Sequence, residues 1–518
     1  MHQYNMPKYA ETYKFTGSWW SPEKEALYLP TANTIVNQGE IFKVLEQGKK
    51  KSDDAAYIAN VIDAALDRAS LKSKAACELK DEFVQGLKLE EASALLNCDY
   101  KKHPELREKL YAAALDVKRR IYGDRVVLFA PIYTANFCSN SCLYCGFRGA
   151  NAELERVAVS DKELSLDVEA LLEEGHKRAV MLCGEHPRYK FDDFLRQVNV
   201  AGDVRDSKGS DLRRINVEIP PLSLHDFKRL KNEGNKVGTF LNFQETYHKP
   251  SYEKFHESGP KADYQNRISV FHRSLLGGLD DIGLGVLYGL YDYKFDTLAM
   301  IAHANHLNDT MGVGPHTISV PRIRPANNAP VSENVPYPVN DDQFKDLVAI
   351  LRLSVPYTGM ILSTRENQQM RKDLLNLGIS QLSAGSATDP GGYAARKGNK
   401  KSTAQFSLED ERPLQDVVQS LIEDGFLPSQ CTSCYGLGRT GETFMSWAKT
   451  GDIQNYCLPN SLITLQEYME DYGSKEVKNL GAKLIKEQLE VIDDKKRLKA
   501  TKNILKQVKE SGLRGKLF

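Results

Sequence analysis

Val126-Val-Leu-Phe-Ala-Pro-Ile-Tyr133-Thr-Ala-Asn-Phe-Cys138-Ser-Asn-Ser-Cys142-Leu-Tyr-Cys145 opens on a short apolar run and ends in three thiols at Cys-x3-Cys-x2-Cys spacing. Thiols set this close in one loop can converge on one face of an iron–sulfur cube. A cube that only carries electrons takes four thiolates, so three leave one iron open to a ligand from outside the protein. The competing reading is a structural zinc site. Zinc favours paired Cys-x2–4-Cys units and four ligands, and no nearby His or Cys completes this group.

Outward from that run the pattern alternates strand and helix. Apolar strand-like runs fall at 126–133, 179–183, 214–219, 237–243, 281–289, 316–320, 358–363 and 379–384, and helical stretches at 161–176, 191–200, 223–233, 296–308, 341–355, 366–377 and 409–424. Eight strands alternating with helices predict parallel pairing and a closed (β/α)8 barrel of the TIM type. A doubly wound open sheet is the alternative, but no glycine-rich phosphate fingerprint follows the first strand. The cysteine loop does, which places it at the C-terminal mouth of the strands. The expected division is an N-terminal helical cover over 1–125, with helices at Ala55–Ala69 and Leu106–Ile121, a barrel core over 126–390 whose last helix is 409–424, and a C-terminal region over 391–518. In the cover, Trp19 and Trp20 read as packing residues. Pro390-Gly-Gly and the polar stretch Arg396–Ser402 read as an exposed loop, and 475–511 as a charged helical tail.

A second cysteine group, Cys431-Thr-Ser-Cys434 with Cys457, has Cys-x2-Cys-x22-Cys spacing. Zinc is again the alternative, yet a fourth ligand would have to come from elsewhere. No His lies between residue 317 and the C-terminus. A second iron–sulfur cluster, also one ligand short, accounts for it better. Helix 409–424 brings the chain back down, so Cys431 is expected at the bottom mouth. Strands of this length span roughly 17–20 Å, which sets the least separation of the two groups.

With 518 residues the chain is long enough for two or three domains and a large core. Lys plus Arg equals Asp plus Glu at 69 each, so charge favours neither nucleic acid nor an anionic membrane. No apolar run reaches membrane-spanning length, and the polar start is not a signal peptide. Six of nine cysteines fall in the two motifs, leaving Cys77, Cys98 and Cys183 scattered. The expectation is a soluble, cytoplasmic protein of a reducing compartment.

The first motif, with Tyr144 before its last cysteine, resembles the radical S-adenosylmethionine (SAM) superfamily. With the second motif, and with Gln244-Glu-Thr-Tyr-His248, Gly259-Pro-Lys-Ala, Gly312-Val-Gly-Pro-His-Thr-Ile-Ser-Val-Pro-Arg322 and Ile361-Leu-Ser-Thr-Arg365, the chain resembles the radical SAM tyrosine lyases that mature FeFe-hydrogenase. The resemblance implies cleavage of the L-tyrosine Cα–Cβ bond to p-cresol and dehydroglycine, then carbon monoxide and cyanide. It further implies an iron–carbonyl–cyanide unit built at the second cluster. The cofactors it implies are two 4Fe–4S-type clusters, an additional iron on the second, SAM, and free cysteine as an iron ligand. The implied partners are an electron donor such as ferredoxin or flavodoxin and other hydrogenase maturation proteins.

Residue by residue, the resemblance assigns Cys138, Cys142 and Cys145 to the SAM-cleaving cluster and Cys431, Cys434 and Cys457 to the second. Tyr144, Gly184, Glu185 and Glu245 are candidate SAM contacts, Gly184-Glu185 also reading as a simple turn. Ser363 and Arg365 match the pair that grips the substrate carboxylate. A planar guanidinium suits that task, unless Arg365 merely pairs with Glu366. His306 matches the ligand of the extra iron, with His303 and His316 as competitors. Two other readings stay open: a 2-iminoacetate synthase of the thiamine pathway, which shares the first motif but not the tail, and a non-catalytic iron–sulfur scaffold.

Overall fold

The computed structural model describes residues 29–70, 84–395 and 404–518. Cys77, Trp19, Trp20 and most of the loop around Arg396–Ser402 lie outside the described residues. The eight expected strands are present: β1 (Arg125–Ala135), β2 (Arg178–Cys183), β3 (Arg214–Glu218), β4 (Val237–Glu245), β5 (Ile282–Val286), β6 (Thr317–Ser319), β7 (Gly359–Leu362) and β8 (Gln381–Ser383). Each pairs in parallel with its neighbours, and β1 closes the ring by pairing with β8 over Val127–Phe129 and with β2 over Ala130–Ala135. The result is a closed (β/α)8 barrel. Apolar residues at alternate strand positions fill its centre: Val180, Leu241 and Ile361 meet there with Phe129 and Leu182.

The register slips in three places, between Tyr133 and Ala135 on β1, between Ile215 and Val217 on β3 and between Phe243 and Glu245 on β4. The first and the last lie at the upper rim. Bulges there re-aim side chains near a site, and Glu245 carries the consequence, a left-handed φ of 67°. For a non-glycine residue such a backbone costs about 1–3 kcal/mol.

Several elements escaped the sequence reading. Helices Lys249–Phe255 and Tyr264–Leu276 stand between β4 and β5, and helices Gly441–Thr450 and Gln454–Asp471 follow the second Cys-x2-Cys. A ninth strand, β9 (Leu427–Ser429), pairs in parallel with Arg125–Val127 at the start of β1. The charged tail is two helices, Lys475–Leu489 and Lys495–Ser511. The N-terminal region is helical where described, and its helix Pro104–Tyr122 packs on helix Asp341–Ser354. Arg107 and Tyr111 fix that contact by meeting the two oxygens of Asp346 at 3.1 and 2.8 Å.

Candidate active site and second cysteine cavity

The upper mouth of the barrel holds a cavity of about 220 Å³ whose wall includes Cys138, Cys142, Cys145, Tyr144, Gly184, Glu185, Glu245, Ser363 and Arg365. The structure therefore brings together every residue expected there from sequence. Cys183, which the sequence leaves scattered, joins them at the end of β2. Two amides point at the thiols: Asn140 Nδ2 lies 3.6 Å from Cys138 Sγ, and Gln405 Nε2 lies 3.5 Å from Cys145 Sγ. Burial, with the neighbouring thiols, pushes the Cys142 and Cys145 thiols well above and above their ordinary value respectively. Buried thiols with N–H donors aimed at sulfur fit a bound cluster, which keeps them as thiolates.

The cysteine loop is held by close packing. A Cβ added at Gly184 would stand 2.2 Å from the Phe137 carbonyl oxygen and 3.1 Å from Cys138 Cβ. Only glycine lets the end of β2 come this near. Asn140 then ties the loop down on two sides, donating to Glu185 Oε2 at 2.8 Å and accepting from Lys261 N at 2.7 Å. Burial raises the Glu185 carboxyl against the opposing pull of Asn140. For Glu245 burial works upward too, but Lys261 Nζ at 2.6 Å, with Arg267, holds it below the ordinary carboxylate range. The Tyr144 hydroxyl meets His256 Nε2 at 2.8 Å, leaving its ring against the cavity.

Arg365 does not pair with Glu366. That carboxylate is taken by Arg322, through Nε at 2.9 Å and a second bond from Nη2, and by Arg324 Nη2 at 2.8 Å. The Arg365 guanidinium instead lies 3.4 Å from the centre of the Phe406 ring. The Ser363 hydroxyl accepts from Arg365 N at 3.4 Å, so both residues belong to one turn above β7.

A second, smaller cavity of about 40 Å³ lies at the opposite mouth. Strand starts line it, namely Arg125 and Val127 of β1, Arg178 of β2 and Gln381 of β8, together with Cys431, Cys434 and Cys457. Topology had placed Cys431 here, and β9 delivers it. Burial raises the Cys434 thiol to about 12 and the Cys457 thiol to about 11, while Arg125 pulls both down. Three thiols facing a buried guanidinium suit an anionic thiolate cluster.

The histidine assignment needs correction. His306 lies in the C-terminal half of helix Tyr293–Met311, short of its last turn and 3.1 Å from His272 Nε2 on helix Tyr264–Leu276, and does not line the lower cavity. His303 meets the Tyr247 hydroxyl at 2.9 Å and is also elsewhere. His316, just before β6, does line that cavity. Its Nε2 is 2.7 Å from the Tyr435 hydroxyl and its Nδ1 is 3.6 Å from Asp281. Burial lowers its imidazole to about 4, more than Asp281 offsets, so it is neutral and able to ligate. The helix runs on to Met311, past the end expected from sequence, so His306 is not in its last turn.

Comparison with known proteins sets this geometry in a family. Residues 319–427 match the model of the Biotin and Thiamin Synthesis associated domain. The chain is 30% identical to the 2-iminoacetate synthase of Escherichia coli strain K12 over 322 residues, 62% of this chain and 81% of that one. The crystal structure of HydG, a maturase of the FeFe-hydrogenase, superposes with a TM-score of 0.85 at 42% identity, covering 93% of this chain and all (100%) of that one. HydG from Carboxydothermus hydrogenoformans gives a TM-score of 0.75 at 35% identity, covering 92% and 100%. A barrel with a three-cysteine loop at one mouth, a second triad at the other and this likeness along nearly its whole length makes the chain a member of the radical SAM family, among the HydG-like hydrogenase maturases.

Proposed function

We propose that the chain cleaves the Cα–Cβ bond of L-tyrosine to p-cresol and dehydroglycine and carries the fragment on to carbon monoxide and cyanide. These are then joined to iron at the second triad for FeFe-hydrogenase maturation. The observation that carries the reading is the pair of cysteine triads lining separate cavities at the two mouths of one barrel. The alternative, 2-iminoacetate synthase chemistry, needs only the upper one. The likeness to HydG extends over 93% of the chain, against 62% for the E. coli synthase, which favours the first reading.

In this reading Cys138, Cys142 and Cys145 hold the SAM-cleaving 4Fe–4S cluster, and Tyr144, Gly184, Glu185 and Glu245 contact SAM. Cluster and SAM together supply the 5′-deoxyadenosyl radical. Ser363 and Arg365 fix the tyrosine carboxylate, and the apolar barrel wall below keeps water from the reacting carbon. Cys431, Cys434 and Cys457 hold the second cluster. His316, in place of His306, binds the additional iron, with free cysteine as a further ligand. The chain would work in the cytoplasm with ferredoxin or flavodoxin as electron donor, and would pass its product to other maturation proteins. No helix of the described residues is long and apolar enough to cross a membrane. The division into 1–125, 126–390 and 391–518 is part of the same proposal.

Anaerobic incubation of cluster-loaded protein with SAM, tyrosine and a reductant tests it. Release of p-cresol with carbon monoxide and cyanide is the expected result. Glyoxylate and ammonia without the diatomics would select the synthase reading, and no turnover would select a scaffold.

A further inference from the structure

The upper cavity contains three carboxylates that differ in how they are occupied. Glu185 is held by Asn140 at 2.8 Å, and Glu245 by Lys261 at 2.6 Å. Glu218, the last residue of β3, pairs through its backbone with β2 and β4 and lines the same cavity, but its carboxylate makes no hydrogen bond or ion pair with any described residue. On the cationic side, Lys261 is committed to Glu245, and Arg267 donates its Nε to the Phe243 carbonyl at 2.8 Å. Among the described residues the Arg365 guanidinium makes no hydrogen bond and lies over the Phe406 ring. Among the described residues the cavity thus leaves the Glu218 carboxylate and the Arg365 guanidinium without side-chain hydrogen bonds, with the Nη atoms of Arg267 also open to an occupant, between apolar walls of Phe129, Val180, Leu241 and Ile361.

We infer that Glu218 is the subsite for the α-ammonium of a zwitterionic amino acid whose carboxylate lies on Arg365. The inference rests on the amino-acid lyase reading and deepens it. A buried pocket that presents an unpaired carboxylate and an unpaired guanidinium among apolar walls rejects a ligand that lacks either charge, because the unmatched group would stay buried and unpaired. The groups facing Glu218 are Tyr133 from β1, Glu245 from β4, Lys261 from the short turn Pro260–Ala262 after helix Lys249–Phe255, Arg267 from helix Tyr264–Leu276 and Arg365 from above β7. Burial, then Glu245, raises the Glu218 carboxyl to about 7 despite the three cations. Near neutral pH it is therefore partly protonated in the free cavity. An ammonium bound against it favours the carboxylate, so binding releases a proton to solvent.

The test uses cluster-loaded enzyme with SAM bound and no reductant, so that binding is read without turnover. Titration calorimetry in two buffers of different ionisation enthalpy compares wild type with Glu218→Gln, for L-tyrosine and for 3-(4-hydroxyphenyl)propionate, which lacks the amine. Wild type should prefer tyrosine and release a fraction of a proton at pH 7. The variant should lose at least tenfold in tyrosine affinity, bind the des-amino acid no more weakly than wild type does, and release no proton. Unchanged tyrosine affinity, an equal loss for both ligands, or a parallel loss of SAM affinity would each overturn the subsite. If wild type ignores tyrosine but binds another α-amino acid with the same dependence on Glu218, the subsite stands and the tyrosine reading falls. Should no α-amino acid bind, the subsite falls.

Discussion

Arg365 does not pair with its neighbour because that neighbour is occupied: Glu366 is fully buried between Arg322 and Arg324, which is what the proposed carboxylate grip requires. Sequence alone left that open, since adjacent opposite charges at a strand end pair as readily as they diverge. Replacing Arg365 by Lys keeps the charge but loses the planar fork. A substrate displaced by about 1 Å reacts on the order of a hundredfold more slowly. Arg365→Lys should thus raise the tyrosine requirement and yield 5′-deoxyadenosine in excess of p-cresol, whereas wild-type stoichiometry would remove Arg365 from the carboxylate. The cysteines were legible because their chemistry is written in their spacing. Glu218 was not: a lone Glu at a strand end is ordinary, and only the partners of its neighbours mark it out. His316 and His306 were equally plausible on paper. Quantifying iron in the two alanine variants separates them. His316→Ala should lose the additional iron while keeping both cluster spectra and p-cresol formation, and His306→Ala should keep all three. The reverse pattern would restore His306.

At the scale of elements, the eight barrel strands were readable from short apolar runs, and all lie within or close to their expected limits. β9 was not, being three residues with a central proline, Leu427-Pro-Ser429. Nor was helix Gln454–Asp471, which carries Pro459 inside it, a residue that ordinarily ends a helix. Its folding there depends on packing that local pattern does not record. The helix after β5 is anchored to the rim of β4 by Asp296, whose Oδ1 accepts from Tyr247 N at 2.7 Å and Thr246 Oγ1 at 3.0 Å. Burial lifts this carboxyl from 3.8 to about 7. The folded state therefore keeps a proton that the unfolded chain releases near pH 4. Its contribution is full below pH 4 and is lost as pH rises to about 7, with a slope of at most ~1.4 kcal/mol per pH unit. Asp296→Asn should remove that slope, so the melting temperature of the variant relative to wild type should rise between pH 5 and pH 7.5. A constant difference would mean that Asp296 is ionised in the fold.

Across the whole molecule, one barrel carries two cysteine-lined cavities of different character. The upper cavity is roomy and holds opposite charges, while the lower is small, with arginines around thiols. An apolar plug of Val180, Leu241 and Ile361 lies in the barrel between the strand ends that line the two. That a strand ends at its upper rim and a returning helix starts the next at the lower one was enough to place both cysteine groups from sequence. Which side chains complete the lower cavity was not, because Arg125, Arg178 and His316 come from strands far apart in the chain. In the proposed function, bond cleavage belongs to the upper site and diatomic assembly to the lower. Its most direct test measures p-cresol and iron-bound carbon monoxide, the latter by infrared spectroscopy, in Cys142→Ser and Cys434→Ser side by side. Cys142→Ser should lose both products, whereas Cys434→Ser should still form p-cresol but show no iron-bound carbon monoxide. If Cys434→Ser lost p-cresol as completely as Cys142→Ser, the two mouths would not divide the work.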